Sequence, residues 1–285
     1  MAIIPNLRSK AEHTAAEVPD IRQLAIQTAF QILHGHNPKR KAGSGEAFWQ
    51  FREYQPGDMP REIDWRQSAK TDRVYIRQKE LHTAQSCLFW TKKNTDMDFC
   101  SDNKFPSKRF SSAVLALALA LVHSRSGEMI GYAGLQRPGH SEKTLGHFEQ
   151  LLMENVSSAL PQSLEVQRNA TFYGFSDFLE TPEELEAAFA PIAERTHNGW
   201  LVHVLDPAEF NLPYKGRILF EDMHGQSQTI ISNASDIQNE YHQRMLRHIE
   251  QIQKLCARWG WKYILHRTDM TYKFTAMKIW LEGAS

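Results

Sequence analysis

The sequence has very little cysteine: Cys87, Cys100 and Cys256 are widely spaced and odd in number. That excludes a disulfide framework. No pair has Cys-x-x-Cys spacing, so reduced, partly buried thiols are expected. An excess charge of either sign is also missing, since 33 basic and 33 acidic residues give a formal net charge of zero. Nonspecific nucleic-acid binding needs a basic surface, so this balance disfavours it as a main role and leaves only local patches such as Lys39-Arg40-Lys41. Long apolar runs are absent as well. The longest, Ala113 to Val122, is about half of the roughly 20 residues that cross a bilayer. The apolar N-terminal run stops at Pro5 and gives way to charge, which is not a signal-peptide pattern. A soluble, cytoplasmic protein is expected. There is no GxxxxGK[ST] phosphate loop, and Gly43-Ser44-Gly45 lacks the third glycine and preceding strand of a dinucleotide fingerprint. With no GxSxG elbow and no HExxH, no catalytic motif marks the chain as an enzyme. The histidines are scattered; His242 and His248, six apart on one helical stretch, face different directions and read as surface residues.

What the sequence does hold is concentrated between Gly43 and Glu80. Seven basic residues (Arg52, Arg61, Arg66, Lys70, Arg73, Arg77, Lys79) are mixed there with seven acidic ones (Glu46, Glu53, Asp58, Glu62, Asp64, Asp72, Glu80). Phe48, Trp49, Phe51, Tyr54, Trp65 and Tyr75 run through them. Disordered tails are poor in aromatics, and no 3.6-residue period marks a surface helix. The stretch therefore reads as a small β-rich subdomain whose ion pairs lie partly under aromatic cover. Arg52, Arg61 and Arg66 can each grip a carboxylate with two parallel hydrogen bonds. Arg52, Tyr54, Asp58, Asp64, Trp65 and Arg66 are the residues expected to hold this platform together, with part of it open to a partner.

Beyond Ser86 the rhythm changes to strands alternating with helices. Strands are expected at 86–91, 129–133, 170–175, 200–205, 217–220 and 261–266. Helices are expected at 107–123, 143–156, 181 onward, 234–259 and 272–281, with an earlier one at 20–33 capped by Asp20. The helix after Thr181 has three agreeing start signals: Thr181 as N-cap, Pro182 at the first position and Glu184 completing a capping box. Alternation of this kind implies an α/β fold with a mainly parallel sheet covered by helices on both faces. The boundaries expected are 1–42 for an N-terminal helix and basic loop, 43–85 for the subdomain and 86–285 for the α/β domain.

Gly43-x-Gly45, Phe48, Arg52-x-Tyr54, Pro56-Gly57-Asp58, Ile63-Asp64-Trp65-Arg66 and Ser68-Ala69-Lys70 resemble the signature of a bacterial family, the domain of unknown function numbered fifty-eight. Ser176-Asp177-Phe178-Leu179, Asp206-Pro207-Ala208-Glu209, Leu212-Pro213 and Thr268-Asp269 continue the resemblance, in the family's order, along nearly the whole chain. The resemblance implies a von Willebrand factor A-like, Rossmann-like domain. It also implies a partnership with MoxR-type AAA+ ATPases in assembling or activating client protein complexes. Domains of this type often bind a divalent cation at the strand edge through Asp-x-Ser-x-Ser in the first loop, whose oxygens suit Mg²⁺ or Mn²⁺.

In this chain Lys92, Asn94 and Asp96 stand at the Asp, Ser and Ser positions. An ammonium cannot ligate a cation, so Mg²⁺ and Mn²⁺ are disfavoured, and a degenerate site is expected in which Lys92 supplies the charge that Asp177 needs. Ligands of open α/β sheets bind beyond the carboxyl ends of the strands, which makes Asp206, Glu209, Thr268 and Asp269 further edge candidates. Asp206 is expected to fix its Pro turn by accepting backbone N–H groups, and Thr268-Asp269 to cap the last helix. The reading that follows is a noncatalytic adaptor. The alternatives are a metal-dependent hydrolase using Asp96, Asp98 and Asp177, and a weak nucleic-acid binder using Lys39-Arg40-Lys41.

Overall fold

A computed structural model describes residues 7–35, 48–56, 58–71, 73–79, 85–154, 160–161, 166–221 and 228–283. The basic loop at 36–41, the glycines Gly43, Gly45 and Gly57, and Asp72 and Glu80 lie outside the described residues. Two compact units emerge, one comprising Met1–His36 with Gln85–Ser285 and the other Asn37–Ala84. The N-terminal helix, set apart in the sequence reading, packs within the larger unit.

In chain order the elements begin with α1 (Leu7–Gly35), β1 (Phe48–Glu53), α2 (Trp65–Ser68), β2 (Tyr75–Lys79), β3 (Ser86–Thr91), α3 (Lys108–Arg125), β4 (Met129–Tyr132) and α4 (Glu142–Met153). They continue with β5 (Thr171–Ser176), α5 (Pro182–Ala193), β6 (Asn198–Leu205), α6 (Pro207–Asn211), β7 (Ile218–Glu221), β8 (Gln228–Ile231), α7 (Ala234–Arg258), β9 (Lys262–Arg267) and α8 (Tyr272–Gly283).

The large unit is α/β and Rossmann-like. Five strands form one sheet in the order β4-β3-β5-β6-β9, and every neighbouring pair is parallel. Strands β3 and β5 are buried throughout, as expected when helices cover both faces. Consecutive residues show the two faces, because side chains alternate along a strand. Phe89 turns toward His123 of α3, whereas Trp90 meets Phe189 of α5. Helix α3 is buried nearly all round because α1 and α8 pack on it in addition to the sheet. Each buried leucine among Leu115, Leu117, Leu119 and Leu121 contributes about 1.5–3 kcal/mol relative to exposure. The capping box expected at Thr181 is present, with both reciprocal bonds formed to Glu184.

Three expectations are corrected. Helix α1 starts at Leu7, not Asp20, and Asp20 is an exposed residue inside it. The Ala- and Glu-containing segment before Pro19 favours helix, so Asp20 caps nothing. One face of the helix packs inward: Ile21, Ala25, Thr28, Ala29 and Ile32 are buried. The strand near Ile218 does not join the parallel sheet but pairs antiparallel with β8 as a separate ladder. Finally, Thr268 does not cap the last helix, which begins at Tyr272.

In the small unit β1 and β2 pair antiparallel, with a register shift between Phe48 and Gln50. Asp64 caps α2 by accepting the Gln67 N–H at 2.9 Å, while its own N–H reaches the Tyr75 carbonyl at 2.9 Å. Ser68 completes the tie, donating its hydroxyl to Asp64 O and accepting the Tyr75 N–H.

Candidate functional site

The order of the central sheet reverses between β3 and β5, since the chain moves from β3 outward to β4 and then returns to the far side of β3. A crevice beyond the strand ends at such a reversal is where open α/β sheets place ligands. Lys92 follows β3 and Asp177 follows β5, and the Lys92 N–H continues the ladder by bonding Phe175 O at 2.9 Å.

The two side chains meet there. Lys92 Nζ lies 2.7 Å from Asp177 Oδ1 and 2.8 Å from Glu180 Oε1. The other Asp177 oxygen, Oδ2, accepts a hydrogen bond of 2.9 Å from Lys108 Nζ. Lys108 also reaches Glu209 Oε1 at 2.6 Å. Lys92, Lys108 and Asp177 are 3%, 1% and 0% exposed, so the centre of this chain of charges is sealed from water, while Glu180 and Glu209 at its ends are half-buried. Burial opposes the charge on Lys92, but Asp177 and Glu180 outweigh it and hold its pKa above the ordinary lysine value. Burial likewise pushes the Asp177 carboxyl up, yet Lys108 and Lys92 overcome that and bring its pKa below the usual carboxylate range. For Glu209 burial wins, and its pKa is raised although Lys108 is beside it. Unit charges about 4 Å apart attract by about 1 kcal/mol in water and roughly 4 kcal/mol at an effective dielectric near 20, before desolvation.

Lys108 had no place in the sequence reading, although a signal existed. It is the first residue of a helix, where the macrodipole disfavours a cation, and the helix it opens carries the long apolar run Ala113–Val122. A buried cation in that position requires a carboxylate partner.

The remaining edge residues other than Thr268 have local side-chain partners. Asp206 is fully buried and fixes its turn as expected, accepting the Ala208 N–H at 2.7 Å and the Ser101 N–H at 3.0 Å. Glu209 closes a capping box on the Asp206 N–H at 3.0 Å. Asn94 Nδ2 donates to Asp96 Oδ2 at 2.5 Å. Asp98 is held by Arg109 Nε at 2.6 Å, and Arg109 also bonds the carbonyls of Lys93 and Asn94. Asp96, Asp98 and Asp177 are not among the described groups whose ligand atoms converge. Thr268 is buried with no protein partner for its hydroxyl, and Asp269 pairs with Arg267 at 2.6 Å instead of capping a helix.

Two histidines line the same ends of β6 and β9. His203 bonds Tyr263 Oη through Nδ1 at 2.8 Å, and His266 bonds Thr275 Oγ1 at 2.8 Å. Burial pushes their pKa values down to about 3 and about 4. His242 and His248 are half-buried rather than on the surface. The first packs edge-on against Phe210, and the second bonds Phe178 O at 2.5 Å.

The platform residues divide into two groups. Arg52 pairs with Asp58 at 2.8 Å, and Asp58 also accepts the Gln55 N–H at 2.8 Å. The Arg52 hydrogen bond is the main cause of the lowered Asp58 pKa. Together with the Asp64 cap these contacts fix the loops. Arg66 is exposed, however, and Trp65 and Tyr54 are 67% and 37% exposed. The expected aromatic cover over the ion pairs is therefore corrected at these two positions. Met59 and Val74 are exposed in the same unit.

No helix among the described residues is long and apolar enough to cross a membrane. No solved structure matches the chain. Uncharacterized proteins of Mycobacterium tuberculosis (strain H37Rv) and Mycobacterium bovis are each 25% identical over 229 residues, covering 73% of this chain and 70% of their own length. The family described as "Protein of unknown function DUF58" matches residues 50–251, the span that holds both the platform and the Lys92–Asp177–Lys108 cluster, and the chain belongs to that family.

Proposed function

We propose that this chain is a noncatalytic protein-interaction protein, an adaptor that works beside a MoxR-type AAA+ ATPase in assembling or activating other protein complexes. Its strand edge is a degenerate form of the von Willebrand A-type cation site. The observation that carries this reading is the occupation of both Asp177 oxygens by ammonium groups, Lys92 at 2.7 Å and Lys108 at 2.9 Å. These positions are where a cation would otherwise sit, and the charges neutralise Asp177 without one. An edge locked in this way supports loops rather than turning over a substrate. Contact with a partner then falls to exposed groups, and the small unit offers Tyr54, Met59, Trp65 and Val74. Exposed aromatic and apolar side chains of this kind are frequent binding anchors.

The test is affinity capture from native extract with and without ATP, using wild type, Trp65→Ala and Asp177→Ala as baits and mass spectrometry for identification. The expected outcome is an AAA+ ATPase retained by wild type and lost with folded Trp65→Ala. Retention by Trp65→Ala and loss with a folded Asp177→Ala would move the contact to the strand edge. Failure of wild type to retain any AAA+ ATPase would overturn the partnership.

A further inference from the structure

A second polar cluster sits at the opposite, amino-terminal end of the sheet, where the proposed adaptor role has no use for it. Cys87 is the second residue of β3, His123 lies in the last turn of α3, and Glu128 immediately precedes β4. The Cys87 thiol donates to Glu128 Oε2 at 3.1 Å, and His123 Nδ1 contacts the same oxygen. Cys87 and His123 are buried, while Glu128 keeps part of its side chain open to solvent.

The turn that brings the three together is built for the purpose. Ser126 and Glu128 both donate their N–H groups to His123 O at 3.0 Å, and Gly127 adopts φ +87° between them. That conformation favours glycine, and it folds Glu128 back over the helix end. The far ring nitrogen of His123, Nε2, lies 2.9 Å from Tyr173 Oη. Without metal, the ring donates its Nδ1 proton to the Glu128 carboxylate; when a cation takes that place the ring proton moves to Nε2, is donated to the Tyr173 hydroxyl, and the Nδ1 lone pair turns to the ion. Bonding of the second ring nitrogen is the arrangement that orients metal-ligating histidines.

We propose that Cys87, His123 and Glu128 form a binding site for a zinc-type divalent cation, with the fourth position open on the Glu128 side. One atom from each residue lies within 4.8 Å of the others. Bonds of about 2.0–2.3 Å to a tetrahedral ion require separations of about 3–4 Å between ligand atoms, so Glu128 turns away from His123 as the ion enters. The sulfur–imidazole–carboxylate set suits Zn²⁺ or Co²⁺ and disfavours Mg²⁺ or Ca²⁺. The charges also balance: as the metal–sulfur bond forms, the thiol proton leaves to solvent, and one thiolate, one carboxylate and a neutral imidazole then neutralise a dication. Without metal, burial first and Glu128 second keep the thiol protonated, so binding is coupled to proton release.

The experiment is titration of the purified full chain with Zn²⁺ against a chromophoric chelator, and with Co²⁺ followed through the thiolate-to-cobalt charge-transfer band. Wild type is expected to bind one ion with that band present. Cys87→Ser and Glu128→Gln should each weaken binding at least about tenfold, since loss of a direct ligand costs no less than loss of its supporting partner. Cys100→Ser should leave binding unchanged, and circular dichroism verifies each fold. Glu128→Gln is partly exposed and decides the matter if Cys87→Ser fails to fold. X-ray absorption at the zinc edge of wild type needs no variant and should show one sulfur ligand. No stoichiometric binding by wild type, affinity unchanged in both folded variants, or a first shell without sulfur would overturn the site.

Discussion

The Lys92–Asp177 and Arg52–Asp58 pairs have nearly the same length, 2.7 and 2.8 Å. Their surroundings differ: the side chains of the first are 3% and 1% exposed, those of the second 31% and 19%. The first pair is also extended by buried Lys108 and half-buried Glu180 and Glu209 into a continuous chain, whereas Arg52 and Asp58 close a single turn. Bond length therefore says little about what an ion pair does. Dehydration makes the strand-edge cluster indispensable, because removing one member strands the others in a medium that cannot solvate them. The small unit leaves Arg52 and Asp58 partly in water, where their loss is repaired by solvent, and exposes Tyr54, Met59, Trp65 and Val74 for contact.

The largest effect expected is that of Asp177→Ala. It leaves two buried ammonium groups without their shared carboxylate and should cost about 3–5 kcal/mol, read as a fall in the urea midpoint of unfolding. Arg52→Met should leave the unfolding of the large unit unshifted, and an equal loss in the two variants would break the comparison.

The next effect is on pH dependence. His203 and His266 are neutral in the fold, with pKa values of about 3 and about 4, while an unfolded histidine titrates near 6.5. The unfolded chain binds those protons first, so stability falls as pH drops from about 6.5 toward the folded values. Asp177 has a lowered pKa, so its contribution is present above the ordinary carboxylate value of about 3.9 and is lost as pH falls through its folded value. Urea titrations at successive pH values should show a midpoint declining from neutrality downward. A flat profile from neutrality to pH about 4 would contradict the buried, neutral state of the two histidines.

A smaller change is expected from Thr181→Ala, which removes the N-cap of α5 and should cost about 1 kcal/mol. The smallest is Trp65→Ala, which should leave thermal unfolding unshifted because the ring is 67% exposed. A marked loss of stability there would mean that Trp65 is a packing residue and would remove it from the proposed binding surface.

Much of the fold was legible in the sequence because local signals and tertiary demands agree. Ser86–Thr91 reads as an apolar run and is β3; the Thr181-Pro182-x-Glu184 start signals are those of α5. The meeting of Lys92 with Asp177 was legible because the family resemblance puts both at the cation-site positions, where a lysine in place of the first Asp leaves Asp177 in need of a counter-ion. Lys108 was hidden because the apolar pattern from Ala113 onward draws attention away from the two basic residues, Lys108 and Arg109, at the helix start. Strand β8 was hidden because Gln228-Thr229-Ile230-Ile231 shows neither alternation nor an apolar run longer than two residues. The exposure of Trp65 was hidden because composition cannot say which face of a small unit is covered.

The measurement that tests the central claim most directly is a Mg²⁺ and Mn²⁺ titration of the wild-type chain beside Asp177→Asn, with folding of both verified by circular dichroism. If Lys92 and Lys108 supply the positive charge at Asp177, no binding that depends on Asp177 should be detected up to millimolar ion. Tight binding by wild type that disappears in folded Asp177→Asn would contradict the account and return the strand edge to a working cation site.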